Sequence, residues 1–161
     1  MDVHIYTDGA CSGNPGNGGY GIVMEWVGRP YKKEFSQGYI KTTNNRMELL
    51  ATILALKEVS PGSSVLLHTD SQYVVNGITR GWARRWRANN WMRNKLDRAE
   101  NSDLWEQLLI LCDRLTVQFK WVKGHAGNKE NERCDDLATT AARSSASRLL
   151  RDTFYEENHS F

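Results

Sequence analysis

Four acids carry the chemistry that this sequence offers. Asp8 closes the run that begins at Val3, Asp70 closes the apolar run Val65 to Thr69, and each precedes a small residue, Gly9 or Ser71. Both read as carboxylates projecting from strand ends, so they meet if those strands pair. Glu48 lies one turn into a stretch of helical period and Asp135 early in another; they join the pair if both helices present those ends to the same edge. Four carboxylates gathered without basic neighbours repel one another strongly unless divalent cations neutralise them. Oxygen ligands select hard ions, and Mg²⁺ takes a few carboxylates plus water and substrate phosphate. Two such ions can activate a water on one side of a phosphodiester and stabilise the leaving oxygen on the other, giving a 3′-hydroxyl and a 5′-phosphate. Each acid alone has a plainer reading: Asp before Gly is turn chemistry, Glu in a helix is usually solvated, and Asp in a first turn complements the helix dipole. Spacing alone does not bring the four together.

The elements that must position them are legible in outline. Val3, Ile5 and Thr7 alternate up to Asp8-Gly9, and Tyr20 to Val27 and Tyr31 to Ile40 follow turn residues at Asn14-Pro15-Gly16 and Asn17-Gly18, which predicts three antiparallel strands. Thr42-Thr43-Asn44-Asn45 offers caps before a helix carrying Met47, Leu50 and Leu54. Val65 to Thr69 reads as a strand buried on both faces. Further helices follow around Tyr73 to Ile78, Leu104 to Leu115 and Glu130 to Arg143, with a fifth strand at Val117 to Val122. Antiparallel hairpins followed by alternating helices and strands argue for an α/β fold with a five-stranded mixed sheet flanked by helices. In such a sheet the carboxyl ends of neighbouring parallel strands open onto the ligand crevice. Residues 144–161 show no clear pattern and read as a peripheral or flexible tail.

Charge is distributed unevenly. From Arg80 to Arg98 seven basic residues face one acid, so this segment carries +6 in a chain of net charge +2 and the remainder is acidic at −4. A cation site in one place and a grip on a polyanion in another would produce that division. Arg80, Arg84 and Arg87 at spacings of four and three, with Trp82 and Trp86 four apart, form a basic stripe beside an aromatic one if the segment is a single helix. Arginines among large flat side chains suit a nucleic-acid strand, by phosphate pairing and stacking. The plainer reading is a solvated helix whose tryptophans pack inward.

Six segments, in order, resemble the type 1 ribonuclease H family: Tyr6-Thr7-Asp8-Gly9; Gly13-Asn14-Pro15-Gly16; Thr43 to Leu49; Thr69 to Val74; Trp121-Val122-Lys123-Gly124-His125; and Asn131-Glu132-Arg133-Cys134-Asp135. The likeness spans about residues 3 to 143. It implies a ribonuclease-H-like fold, with residues 1–143 as the catalytic domain, including a basic protrusion at about 80–98, and cleavage of the RNA strand of RNA/DNA hybrids with little sequence specificity. It assigns metal binding to Asp8, Glu48, Asp70 and Asp135, with two Mg²⁺ ions expected and Mn²⁺ as a substitute. His125, in a polar loop where an imidazole can titrate near neutral pH, takes a role in proton transfer or product release. The resemblance also puts Cys11 and Asn14 near ribose 2′-hydroxyls, Asn44, Asn45 and Gln72 at the minor groove, and Lys41, Thr43 and Asn101 in a pocket for a DNA phosphate. Trp82, Arg84, Arg85 and Arg87 fall in the protrusion that grips the DNA strand, where Arg80-Gly81 includes one extra residue relative to the family pattern.

Other classes fit less well. Gly16 to Gly21 has the letters of a dinucleotide fingerprint, yet Ile22 to Val27 continues as a strand rather than a helix, so the glycines read as turns. There is no G-x-S-x-G elbow for acyl chemistry. A hybrid-binding module without catalysis would need the basic segment but not the four acids. Three cysteines, far apart and without a CxxC pair, support neither a disulfide framework nor a zinc knuckle. No apolar run is long enough for a bilayer and the N-terminus lacks a signal-peptide pattern, so a monomer in the cytoplasm, with an RNA/DNA hybrid as partner and no membrane, is the expectation.

Overall fold

The computed structural model describes residues 2–124 and 127–159. Its centre is a mixed sheet in the order β5-β4-β1-β2-β3-β6. Strands β1 (Val3–Gly13), β2 (Gly16–Trp26) and β3 (Lys32–Thr42) form the antiparallel meander, while β4 (Ser64–Thr69) and β5 (Thr116–Trp121) add in parallel beside β1. The expected five strands are all present. A sixth, β6 (Leu149–Arg151), runs parallel to β3 through Gly38↔Leu149 and Ile40↔Arg151.

The tail is therefore not peripheral. Leu149, Asp152 and Tyr155 are buried, and Asp152 caps helix α6 (Thr153–Asn158) by accepting from the Tyr155 amide. Its three-residue strand is too short to show a period, which hid it in the sequence.

Helices cover both faces. α1 (Asn44–Lys57) and α4 (Ser102–Arg114) pack on one side, where Ile5, Ile22, Met24, Leu49, Ile53, Leu67, Trp105 and Leu108 form the main core. α5 (Lys129–Ala142) lies on the other, where Cys134 and Leu137 pack against Tyr6 and Val23. The alternation of Ile5 with Tyr6 and of Ile22 with Val23 thus feeds two cores, as the period of two requires. α2 (Gln72–Thr79) and α3 (Trp82–Ala88) follow β4.

Gly16 closes the β1–β2 hairpin, but the later glycines of β2 are not turn residues. Gly19 and Gly21 lie within the strand, beneath α5: a Cβ on Gly21 would stand 2.2 Å from the Cys134 carbonyl oxygen. Glycine there lets the helix backbone rest directly on the sheet and so sets the height of Cys134 and Asp135 above β1. Gly21→Ala is expected to lower stability by about 1–3 kcal/mol, as overpacking does, and to loosen α5 in hydrogen exchange; an unchanged denaturation midpoint would contradict this packing.

Candidate active site

Asp8 and Asp70 reach the same edge by different routes. Parallel pairing of β1 with β4 ends at Tyr6↔His68, so both carboxylates lie just beyond its carboxyl end. Asp8 is not at a strand terminus, because β1 continues to Gly13 against β2 alone. Asp70 follows β4, in a turn fixed by the Ser71 amide donating to Thr69 Oγ1 (3.1 Å) and by Trp121 Nε1 donating to the Asp70 carbonyl (3.0 Å). Ser71 then caps α2 by accepting from the Val74 amide.

Glu48 arrives on α1, whose N-terminus Thr43 caps by accepting from the Arg46 amide at 3.2 Å. Gly9 admits it: a Cβ there would meet the Glu48 amide nitrogen at 2.7 Å and Met47 Cβ at 2.9 Å. One carboxylate oxygen from each of Asp8, Glu48 and Asp70 lies within 4.8 Å of the others. Asp135, in the second turn of α5, lines the same cavity of about 370 Å³ without belonging to that close group. Cys134 Sγ donates to the Tyr6 carbonyl (3.2 Å), tying this turn of α5 to β1 two residues before Asp8.

The electrostatics are those of a site crowded with acids. Burial, and then the charge of Asp70, push Asp8 up to about 7; burial, and then the charges of Asp8 and Asp70, raise Glu48 well above its ordinary value. Glu48 and Asp8 share a side-chain hydrogen bond, while Glu48 Oε2 is buried with no hydrogen-bond partner among the described residues. A buried carboxylate oxygen without a donor costs free energy that a cation would recover. The donor set is all oxygen, as a hard divalent ion requires, so the residues present fit such an ion.

Around the acids, Asn44, Asn45 and Gln72 line the cavity with carboxamides. The Asn14 side chain accepts from the Asn44 amide at 3.1 Å, joining the β1–β2 turn to the start of α1. Cys11 is partly buried and donates to the Gly16 and Thr42 carbonyls. Lys41 and Asn101 both adopt left-handed backbone, φ 47° and 61°, which non-glycine residues use sparingly and often at functional sites. Lys41 sits where the β2–β3 register slips between Gly16↔Thr42 and Gly18↔Tyr39, so a bulge turns the end of β3. His125 lies outside the described residues.

The basic segment is not one helix. Gly81 at φ 73° separates α2 from α3, so Arg80 is not on the stripe of Arg84 and Arg87. Those two face α4: Arg84 pairs with Asp113 at 2.8 Å, and Arg87 lies 3.9 Å from Glu106. Trp86 packs edge-on against Trp105 in the core. Trp82, Arg85 and Arg93, with Trp86 and Glu100, line a second cavity of about 480 Å³ together with Tyr73, which also borders the acidic one. One continuous surface therefore runs from the carboxylates to an arginine- and tryptophan-lined groove. Spacing along the sequence does not single out Arg93, because its direction depends on the irregular loop after α3.

A family model described as RNase H matches residues 1–143. The chain belongs to the ribonuclease H family. It is 61% identical over 142 residues to the ribonuclease H of Desulforamulus reducens, covering 88% of each chain, and 55% identical over 139 residues to the ribonuclease HI of Synechocystis sp., covering 86% of each. Among solved structures it is similar to LC9-RNase H1, described as a type 1 RNase H with the type 2 active-site motif, with a TM-score of 0.78 at 34% identity over 99% of this chain and 81% of that one. That overlap extends past residue 143 into the C-terminal segment.

The raised carboxyl groups have a definite consequence for stability. An acid whose pKa is higher folded than unfolded stabilises the fold fully below the unfolded value, about 4, and that contribution is lost as pH rises through the folded value, about 7 for Asp8. Without divalent ions, melting temperature should fall between pH 5 and 8. Asp8→Asn should reduce that fall by on the order of 1 kcal/mol at pH 8, or about 2–4 °C. Mg²⁺ should stabilise the unmodified chain more at pH 8 than at pH 5.5, because its ligands must be ionised. Parallel pH profiles for the variant and the unmodified chain in chelator would contradict the assignment.

Proposed function

We propose that this chain hydrolyses the RNA strand of an RNA/DNA hybrid with little sequence preference, using two Mg²⁺ ions held by Asp8, Glu48, Asp70 and Asp135. The observation that carries this reading is the convergence of three carboxylate oxygens within 4.8 Å, with Glu48 Oε2 buried and unpartnered among the described residues. Divalent ions bound there would supply an activated water and neutralise the phosphate and its leaving oxygen, so that the products carry 3′-hydroxyl and 5′-phosphate ends; Mn²⁺ has the same ligand preference. Membership in the ribonuclease H family supports the substrate class.

The chain's own groups do the positioning. Asp8 and Asp70 hold their carboxylates at the sheet edge, and Glu48 sits beside Gly9, where α1 approaches β1 most closely. Cys11 and Asn14 are placed on the RNA side, where contact with 2′-hydroxyls would distinguish RNA from DNA. Asn44, Asn45 and Gln72 offer carboxamides to base edges, whose two-way hydrogen bonding tolerates many sequences. Lys41, Thr43 and Asn101 receive a DNA phosphate, and Trp82 with Arg85 takes the DNA strand further along. His125 serves proton transfer or product release. A single chain with its own cores on both sheet faces supports action as a monomer, with the cytoplasm as its compartment.

Asp70→Asn should retain the fold but lose cleavage in Mg²⁺ by more than about 100-fold, beyond the 10–100-fold typical of groups that only support a metal ligand; a homogeneous variant with normal turnover on a strand-labelled hybrid would sink the proposal. Replacing Arg85 and Arg93 by alanine should raise KM and flatten its salt dependence, since a protein that neutralises fewer phosphates releases fewer counterions on binding. Replacing Arg84 and Arg87, which face acids of α4, should do so less. Equal effects of the two pairs would contradict the groove.

A further inference from the structure

Arg46 is the most completely engaged side chain near the site. Its guanidinium has five N–H donors, and five hydrogen bonds leave it: Nε and Nη2 to the two oxygens of Asp152 (2.6 and 3.0 Å), Nη1 and Nη2 to those of Asp103 (2.9 and 2.8 Å), and Nη1 to Asn101 Oδ1 (3.2 Å). Arg46 and Asp152 are buried, Thr42 Oγ1 donates to Asp152 Oδ2 at 2.7 Å, and Phe154 lies 5.2 Å from the guanidinium carbon. Two bidentate carboxylates leave the planar fork no freedom to rotate.

The fifth bond decides which way Asn101 faces. An arginine cannot accept a hydrogen bond, so only the carbonyl oxygen of the Asn101 carboxamide can meet it and the amide cannot flip. The Nδ2 group is then directed to Tyr73 Oη (3.1 Å) and keeps a second N–H for an acceptor. The C-terminal segment also flanks Lys41 directly, since β6 pairs Arg151 with Ile40.

We propose that Asp152, in the C-terminal segment outside the family match, is a positioning residue for DNA-strand binding: by locking Arg46 it holds the Asn101 carboxamide with its N–H toward a DNA phosphate. The segment after residue 143 thereby contributes to hybrid affinity while touching no substrate. This rests on the placement of Lys41, Thr43 and Asn101 at a DNA phosphate.

The test uses the full chain and a set of hybrids in which single DNA phosphates are replaced by uncharged methylphosphonates. For the unmodified chain, one position should raise KM several-fold, and Asn101→Asp, which keeps the acceptor but removes the N–H and adds charge, should raise KM on the natural hybrid similarly. Asp152→Asn should raise KM about three- to tenfold with kcat within twofold, and should add nothing further on the hybrid neutralised at that one position. Measurements are made below the melting transition of both proteins. If Asp152→Asn does not fold, Thr42→Val, which loosens Asp152 but leaves its ion pair with Arg46, should give a smaller increase with the same pattern. A KM unchanged in the folded variant, or a loss that is equal on natural and neutralised hybrids, overturns the positioning role. If neither Asn101→Asp nor any methylphosphonate raises KM, the phosphate pocket itself is wrong and the inference falls with it.

Discussion

Burial of like charges governs this molecule. Asp8, Glu48 and Asp70 are held close together, and burial with the neighbouring charges raises the proton affinity of Asp8 and Glu48. No chain would collapse around such a cluster for its own sake. What holds it is everything around it: the parallel ladder of β1 and β4 that carries two acids to one edge, the glycine that admits α1, and apolar cores on both faces of the sheet. The fold supplies stability and the site consumes part of it, which is how a surface poised for cations is maintained without them.

Helix α1 carries two buried charges two residues apart, and their treatment differs. Arg46 is satisfied by protein, with every donor used, and its two aspartates come from α4 and the C-terminal segment. Glu48 is left with an oxygen that no described residue meets. A buried ion pair costs desolvation and is returned by geometry, whereas a buried unpaired acid is a cost that persists until a ligand arrives. The first pattern marks a structural fixture and the second a functional one. The same helix turn thus anchors the fold and presents a ligand.

Electrostatics divides the basic protrusion in the same way. Arg84 and Arg87 face acids on α4, and Trp86 packs against Trp105, so half of α3 holds the protrusion to the body. Trp82 and Arg85 border the groove that Tyr73 connects to the acids. Composition alone counts these residues alike; their direction separates attachment from binding.

The sequence by itself determined the order of the first five strands, the mixed sheet and the acids to examine, because period, caps and turn chemistry are local, and because six motifs in family order are a strong signal. It also showed that a basic segment and the four acids lie apart along the chain. Tertiary structure alone decided which three acids form the close group, with Asp135 at the margin of their cavity, and which arginines face the groove. It alone revealed that Asp152 reaches Arg46 across 106 positions, that Gly19 and Gly21 serve a helix rather than a turn, and that the tail completes the sheet. Those outcomes depend on side-chain direction and on contacts between distant segments, and a pattern of spacings along one chain carries neither.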